Sequence, residues 1–245
     1  MQQTGTTFTL ASIINGIQPE PPRILIYAPG GIGKSVCASN APQPIFIQTE
    51  DGLSNIDCAK FPLAKTWEEV ESAMVSLYQE NHAFKTLVVD SLDWYEFLVW
   101  DKVMRDQPIT SKGKKVEDLS DYGYGEGYAR ATAYWVDFLS KVNSLRLEKD
   151  MSIVFLCHDE VKKFDDPSKG TYNFYGPKLH KFAAEKVVEF CDAVLFANHE
   201  VVIATETTGF GQEKKRVQAV VVYCSSLHSL SLFQNPGSFL GQVTF

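Results

Sequence analysis

The residues of this 245-residue chain that invite chemistry are a lysine, a serine, two carboxylates and a histidine: Lys34, Ser35, Glu50, Asp90 and His158. Phosphoryl transfer needs such a set: a fixed cation on the phosphates, a hydroxyl and a carboxylate beside Mg²⁺, and a base for the attacking water. The stretch Arg23-Ile-Leu-Ile-Tyr-Ala-Pro-Gly-Gly-Ile-Gly-Lys-Ser35 supplies the first of these. Its apolar run, Ile24 to Tyr27, ends in a glycine-rich turn. Pro29, Gly30, Gly31, Ile32, Gly33, Lys34, Ser35 and Val36 then form a loop and helix start whose backbone N–H groups and ammonium suit a polyphosphate. Ala28 stands where the GxxxxGK[ST] pattern has its first glycine. That position closes the turn rather than touching phosphate, so a methyl group there is a small change. ATP and Mg²⁺ are the expected ligands.

The other groups fall at the ends of further apolar runs. Ile45-Phe-Ile-Gln-Thr-Glu50-Asp-Gly52 places a carboxylate where open α/β sheets bind ligands, beyond the carboxyl end of a strand. Glu50 there is the expected base, with Asp51 as the substitute and an acidic turn as the plain reading. Phe84-Lys-Thr-Leu-Val-Val-Asp90-Ser91 has the form of a strand whose terminal aspartate holds water on Mg²⁺ beside Ser35. Asp93 and Glu96 are read as first-turn helix acids stabilised by the dipole. Phe155-Leu-Cys-His158-Asp-Glu160 ends a third run, and His158 is expected to contact the terminal phosphate and report its loss to the segment that follows.

Positioning these groups takes a particular scaffold. Strand-like runs at Ile24–Tyr27, Pro44–Gln48, Thr86–Asp90, Ser152–Cys157 and Ala193–Ala197 alternate with helical patterns at Trp67–Gln79, Leu92–Arg105, Gly127–Leu147 and Lys178–Phe190. This order predicts an α/β fold with a mainly parallel sheet covered on both faces. Val201–Thr205 and Arg216–Tyr223 fit a C-terminal β-hairpin turning at Thr208-Gly-Phe-Gly211. The expected division is a lead and linker at 1–22, a core at 23–222 and a tail at 223–245. Two long segments, Asp106–Glu126 and His158–Pro177, have no scaffold role and are expected to be loops, functional or disordered.

Composition narrows the class. Hydrophobic content of 44% and charged content of 22% are those of a globular domain, and no apolar run is long enough to span a membrane. The start, Met1 to Thr7, lacks a signal peptide's basic and apolar regions, and the five cysteines show no CxxC pairing. A cytoplasmic location with reduced thiols is expected. The histidines show no metal-ligand spacing. A small-molecule kinase is disfavoured because the five arginines (23, 105, 130, 146, 216) form no lid-like cluster. The net charge of −7 excludes a broadly basic surface but not a few basic loops.

With these motifs in place, the chain resembles the RecA/RadA recombinase core. Ile47-Gln-Thr-Glu-Asp-Gly52 is similar to that family's strand-two element and Leu87-Val-Val-Asp-Ser91 to its Walker B strand. Gly176 to Val194 resembles the helix after its second DNA-binding loop. The chain is also similar to phage-encoded single-domain proteins of the Sak-four type, which promote annealing and recombination. Tyr27 to Ser35, Thr49 to Gly52, Val88 to Ser91, Tyr122-Gly-Tyr-Gly-Glu-Gly-Tyr128, His158 and Asp192-Ala-Val-Leu195 follow their pattern in order. The likeness runs over about residues 22 to 205.

The resemblance implies a RecA-like P-loop fold, ATP hydrolysis, self-assembly into a ring or filament, and single-stranded DNA bound through two loops. A single-strand-binding protein is a further partner it implies, and a membrane is not. In this sequence the loops are Asp121–Tyr128 and His158–Pro177. Lys162, Lys163 and Lys169 there suit phosphates, and Tyr122, Tyr124, Tyr128, Tyr172, Phe174 and Tyr175 suit base stacking. The basic reach towards a neighbour's nucleotide falls to Lys214, Lys215 and Arg216, the last charged side chains before a stretch from Val217 to Phe245 without Lys, Arg, Asp or Glu. A slowly hydrolysing, nucleotide-dependent assembly switch or helicase-loader-like module is the alternative reading.

Overall fold

Alternation inside the apolar runs decides how the sheet is covered. Leu25, Ile45, Ile47, Leu87, Val89, Ile153 and Phe155 point to one side, while Phe46, Val88, Val154 and Leu156 point to the other. Neighbouring residues of a strand face opposite ways, so a run apolar at every position must be buried twice. A computed structural model of the chain describes residues 9–110, 112–168, 170–208 and 212–225, and the side chains of 166 and 199–225 lie outside that description.

The strands are β1 (Arg23–Ala28), β2 (Pro44–Gln48), β3 (Ala59–Lys60), β4 (Thr86–Asp90), β5 (Ser152–Asp166), β6 (Gly170–Pro177), β7 (Ala193–Thr208) and β8 (Gln212–Ser225). Their order is β3-β2-β4-β5-β1-β7-β8. β1 to β5 and β7 pair in parallel, β8 runs antiparallel to β7, and β6 pairs antiparallel with the outer half of β5. This is a mainly parallel α/β sheet, with the antiparallel pair of β7 and β8 at its edge.

The helices are α1 (Lys34–Ser39), α2 (Trp67–Gln79), α3 (Leu92–Asp106), α4 (Glu126–Lys149) and α5 (Lys181–Phe190). Each of α2 to α5 contributes to the larger core: Val70 and Leu77, Tyr95 and Val99, Trp135 and Phe138, Ala183 and Val187. On the opposite face, among the described residues, α1 through Ala38 and the turns carrying Leu53, Ile56 and Cys58 cover the sheet. Both faces are covered, as expected, but unequally, because residues 49–58 after β2 make turns rather than a helix.

Local chemistry explains the element ends. Thr66 caps α2 by accepting the Glu69 N–H at 3.2 Å, and the Glu69 carboxylate accepts the Thr66 N–H in return at 3.1 Å. Asp192 grips Arg23 at 2.6 Å, joining the first residue of β1 to the start of β7. Arg146 of α4, buried, pairs with Glu20 at 2.7 Å and fixes the proline-rich linker.

The segment His158–Pro177, expected as a loop, is instead a ladder of eight residue pairs from Asp159–Pro177 to Asp166–Gly170. The sequence there alternates β-formers across a Pro-Ser-Lys-Gly turn, and Gly170 takes a φ of 77° that the turn requires. The other segment, Asp106–Glu126, has one isolated bridge, Ile109 to Lys115, and a 3₁₀ turn at Leu119–Tyr122.

Candidate nucleotide site

β1 ends at Ala28, which pairs in register with His158 of β5. Gln48 of β2 pairs with Asp90 of β4, and Asp90 with Leu156 of β5. Four parallel strands thus deliver the phosphate loop, Glu50, Asp90 and His158 to one edge of the sheet. Gly31, Gly33, Lys34, Ser35, Val36, Glu50, Gly52, Ile56, Asp90 and His158 line a cavity there of about 310 Å³.

In the loop, Gly31 and Gly33 take φ angles of 77° and 100°, left-handed values that a side chain disfavours. Ala28 closes β1 in extended backbone, its methyl group fully buried. Nothing at that position asks for glycine, so the departure from the usual pattern has no structural cost. Lys34 Nζ donates to the carbonyls of Ala28 at 2.9 Å and Pro29 at 3.1 Å. Burial lowers the Lys34 pKa, opposed by Asp90, Asp93 and Glu50 through space. A buried ammonium hydrogen-bonded to neutral carbonyls is a site that an added anion relieves.

Ser35 Oγ donates to Asp90 Oδ2 at 2.6 Å. Burial pushes the Asp90 carboxyl up, while the Ser35 hydroxyl pulls it down. A hydroxyl and a carboxylate in contact beside a phosphate loop fit a Mg²⁺ ion, a hard cation that takes oxygen ligands and keeps several waters. Thr49 stitches β2 to β4 beyond the ladder: its N–H donates to Asp90 O at 2.8 Å, its hydroxyl donates to Ser91 O at 2.6 Å, and it accepts the Ser91 N–H at 3.0 Å. The Asp90–Ser91 peptide is cis. Ser91 Oγ then donates to Glu50 Oε2 at 3.1 Å, holding that half-buried carboxylate at the cavity wall. Asp51 is exposed.

His158 is held from the far side. Asp93 Oδ1 accepts its backbone N–H at 3.1 Å and Oδ2 meets its Nδ1 at 2.9 Å. The Asp93 hydrogen bond raises the His158 pKa against the effect of burial. Burial pushes Asp93 up, but His158's ring and backbone together hold it below the usual carboxylate value. One turn on, both Glu96 oxygens accept the His180 N–H, at 3.0 and 3.1 Å, where α5 begins. Burial pushes the Glu96 pKa up to about 7. Asp93 lies in the first turn of α3, as expected, and Glu96 just beyond it; both are buried and also bind groups on other elements.

The expected nucleic-acid residues separate. Tyr122 is buried; its hydroxyl donates to Gln107 O at 2.6 Å and Arg130 covers its ring at 4.7 Å, so no face is open to a base. Tyr128 stacks on His180 with centroids 4.1 Å apart. Tyr124 is fully exposed. Lys162 is engaged by Leu179 O at 3.0 Å and Glu160 at 3.1 Å, whereas Lys163 is exposed. Tyr172 and Phe174 are exposed and share one face of the hairpin with Phe164, a ring the sequence reading missed. The period of two along β5 and β6 is the signal that finds it. Tyr175 lies on the other face, half-exposed and stacked on Phe196, which in turn stacks on Tyr27. Lys169 lies outside the described residues, as do the side chains of Lys214, Lys215 and Arg216 on β8.

Among the described residues no helix is long and apolar enough to cross a membrane. No curated protein matches the sequence. Of solved structures, the crystal structure of the RadB recombinase aligns with 79% of this chain and 84% of its own, at 12% identity and a TM-score of 0.45, too distant to bear on activity. The AAA domain family matches residues 20–223, from the linker before β1 into β8. By the reach of that match over the sheet, the phosphate loop and the strand-tip carboxylates, the chain belongs to the AAA domain family.

Proposed function

We propose that the protein binds and hydrolyses ATP and uses that cycle to act on single-stranded DNA, in annealing or strand exchange. The observation that carries this reading is the convergence of Lys34, Ser35, Glu50, Asp90 and His158 on one cavity at the strand tips. Lys34 and the loop N–H groups hold the phosphates. Glu50, oriented by Ser91, takes the proton of the attacking water as its oxygen bonds to the γ-phosphorus and the bond to the ADP oxygen breaks. Ser35 and, through water, Asp90 would hold Mg²⁺, which when bound supplies charge neutralisation across the β- and γ-phosphates. His158 faces the same phosphates and heads β5's outer half, so the hairpin starts where the terminal phosphate is read. Phe164, Tyr172 and Phe174 on that hairpin offer stacking surfaces to bases, each worth about 1–3 kcal/mol.

One observation favours the second reading, a slow assembly switch. The hairpin carries Lys162, Lys163 and Lys169 against Asp159, Glu160, Asp165 and Asp166, so it is no basic clamp. ATP turnover with and without single-stranded DNA, in wild type and in Tyr172→Ala/Phe174→Ala, separates the two. The DNA reading expects stimulation in wild type and at least roughly tenfold weaker DNA binding in the variant, at every salt concentration. Turnover without DNA binding leaves the assembly switch, and no ATP binding removes both.

A further inference from the structure

His158 can serve a phosphate only if its ring is turned towards the phosphate loop and stays there. An imidazole at a strand end has a free χ2 and two tautomers, so something must choose for it. The choice is made by α3. Asp93, in that helix's first turn, is only 4% exposed at its side chain and spends both oxygens on the same residue. One fixes the His158 backbone N–H and the other the Nδ1 edge of the ring. The opposite edge faces the loop: a Cβ built on Gly30 would lie 3.9 Å from His158 Nε2. We propose that Asp93 is the positioning residue of the nucleotide site, holding the His158 Nδ1 proton so that Nε2 is presented to the terminal phosphate.

This rests on the nucleotide reading given above and adds a residue to it. The charged groups facing the ring are Asp93, Glu50 at 3.8 Å from Nδ1, and Lys34 and Asp90 at longer range. Glu50 already accepts the Ser91 hydroxyl, so Asp93 is the one that commits both oxygens to His158. A surface acid that merely favours a helix start would be solvated; a nearly buried carboxylate is costly unless it is paired as this one is. With Nδ1–H committed, Nε2 carries either the lone pair or, in the imidazolium, a proton to donate to phosphate.

Three proteins test it: Asp93→Asn, His158→Gln and the double variant. Glutamine keeps an amide near the Nε2 position without needing a carboxylate partner. Wild type should show His158 as the Nδ1–H tautomer or the imidazolium by ¹⁵N NMR of the ring, and Asp93→Asn should lose that signature. Asp93→Asn should lower kcat on the order of 10- to 100-fold with ATP affinity changed by less than about threefold. In the His158→Gln background, Asp93→Asn should add no further loss, because it acts through the ring. Multiplicative losses, or an unchanged tautomer and kcat in Asp93→Asn, overturn the inference and leave the nucleotide reading standing. Failure of the wild type to bind ATP overturns both.

Discussion

Glu50 differs from the other carboxylates of the cavity in what holds it. Asp90 is buried against the Ser35 hydroxyl and Asp93 is tied to His158 through both oxygens, whereas Glu50 stands half-buried at the cavity wall and accepts the Ser91 hydroxyl through Oε2. That is the arrangement a base for water needs, and it gives a sharp expectation for Glu50→Gln. The amide oxygen can still accept the Ser91 hydroxyl, yet it cannot take a proton. ATP binding, read by a fluorescent analogue, should stay within about threefold while turnover falls on the order of 100-fold or more. Turnover at the wild-type rate would move the base elsewhere. At this scale the sequence was legible where chemistry lies within one motif, as in Lys34 and Ser35. The role of Asp93 was not, because its partner lies 65 residues away and only the pairing of β5 with β4 brings them together.

At the scale of elements, α3 carries two buried carboxylates one turn apart, and they engage the two ends of the hairpin segment: Asp93 at His158, where it leaves the sheet, and Glu96 at His180, where α5 begins. The second of these has a pH signature. Burial raises Glu96 from 4.5 to about 7, so between those values the folded chain holds a proton that the unfolded chain has released. Stability from this group is therefore complete below about pH 4.5 and is lost as pH rises through about 7, an effect of about 3 kcal/mol at most. Glu96→Gln keeps an acceptor for the His180 N–H and removes the titration. Urea midpoints at pH 5 and pH 8 should show the variant gaining on wild type as pH rises; parallel curves would show that Glu96 stays ionised. The hairpin itself was readable from alternation and its Pro-Ser-Lys-Gly turn. Segments beyond strand tips are commonly irregular, which is why a loop is the first expectation there; in this chain the ladder satisfies their backbone groups.

For the whole molecule, strand order was beyond a single sequence. The runs gave the strands and their parallel sense, but the placement of β1 between β5 and β7 comes from long-range pairing. That placement has an energetic consequence. β1 is anchored at its first residue to the start of β7 by Arg23 and Asp192, pairs along its whole length with β5 and from Ile24 to Tyr27 with β7, and runs directly into the phosphate loop. A nucleotide held by that loop is thus bound to the middle of the sheet, and its binding energy should appear as global stability rather than as local ordering. At a ligand concentration of 100 times Kd, linkage gives about 2.7 kcal/mol. For a chain of this size that is a rise in melting temperature of roughly 5–10 °C. Lys34→Ala removes the buried ammonium while leaving every strand in place, so calorimetry should find its own transition cooperative but its shift with MgATP below about 2 °C, given that fewer than half of the sites would then be filled. An equal shift in both proteins would mean that ATP stabilises the fold from somewhere other than the end of β1.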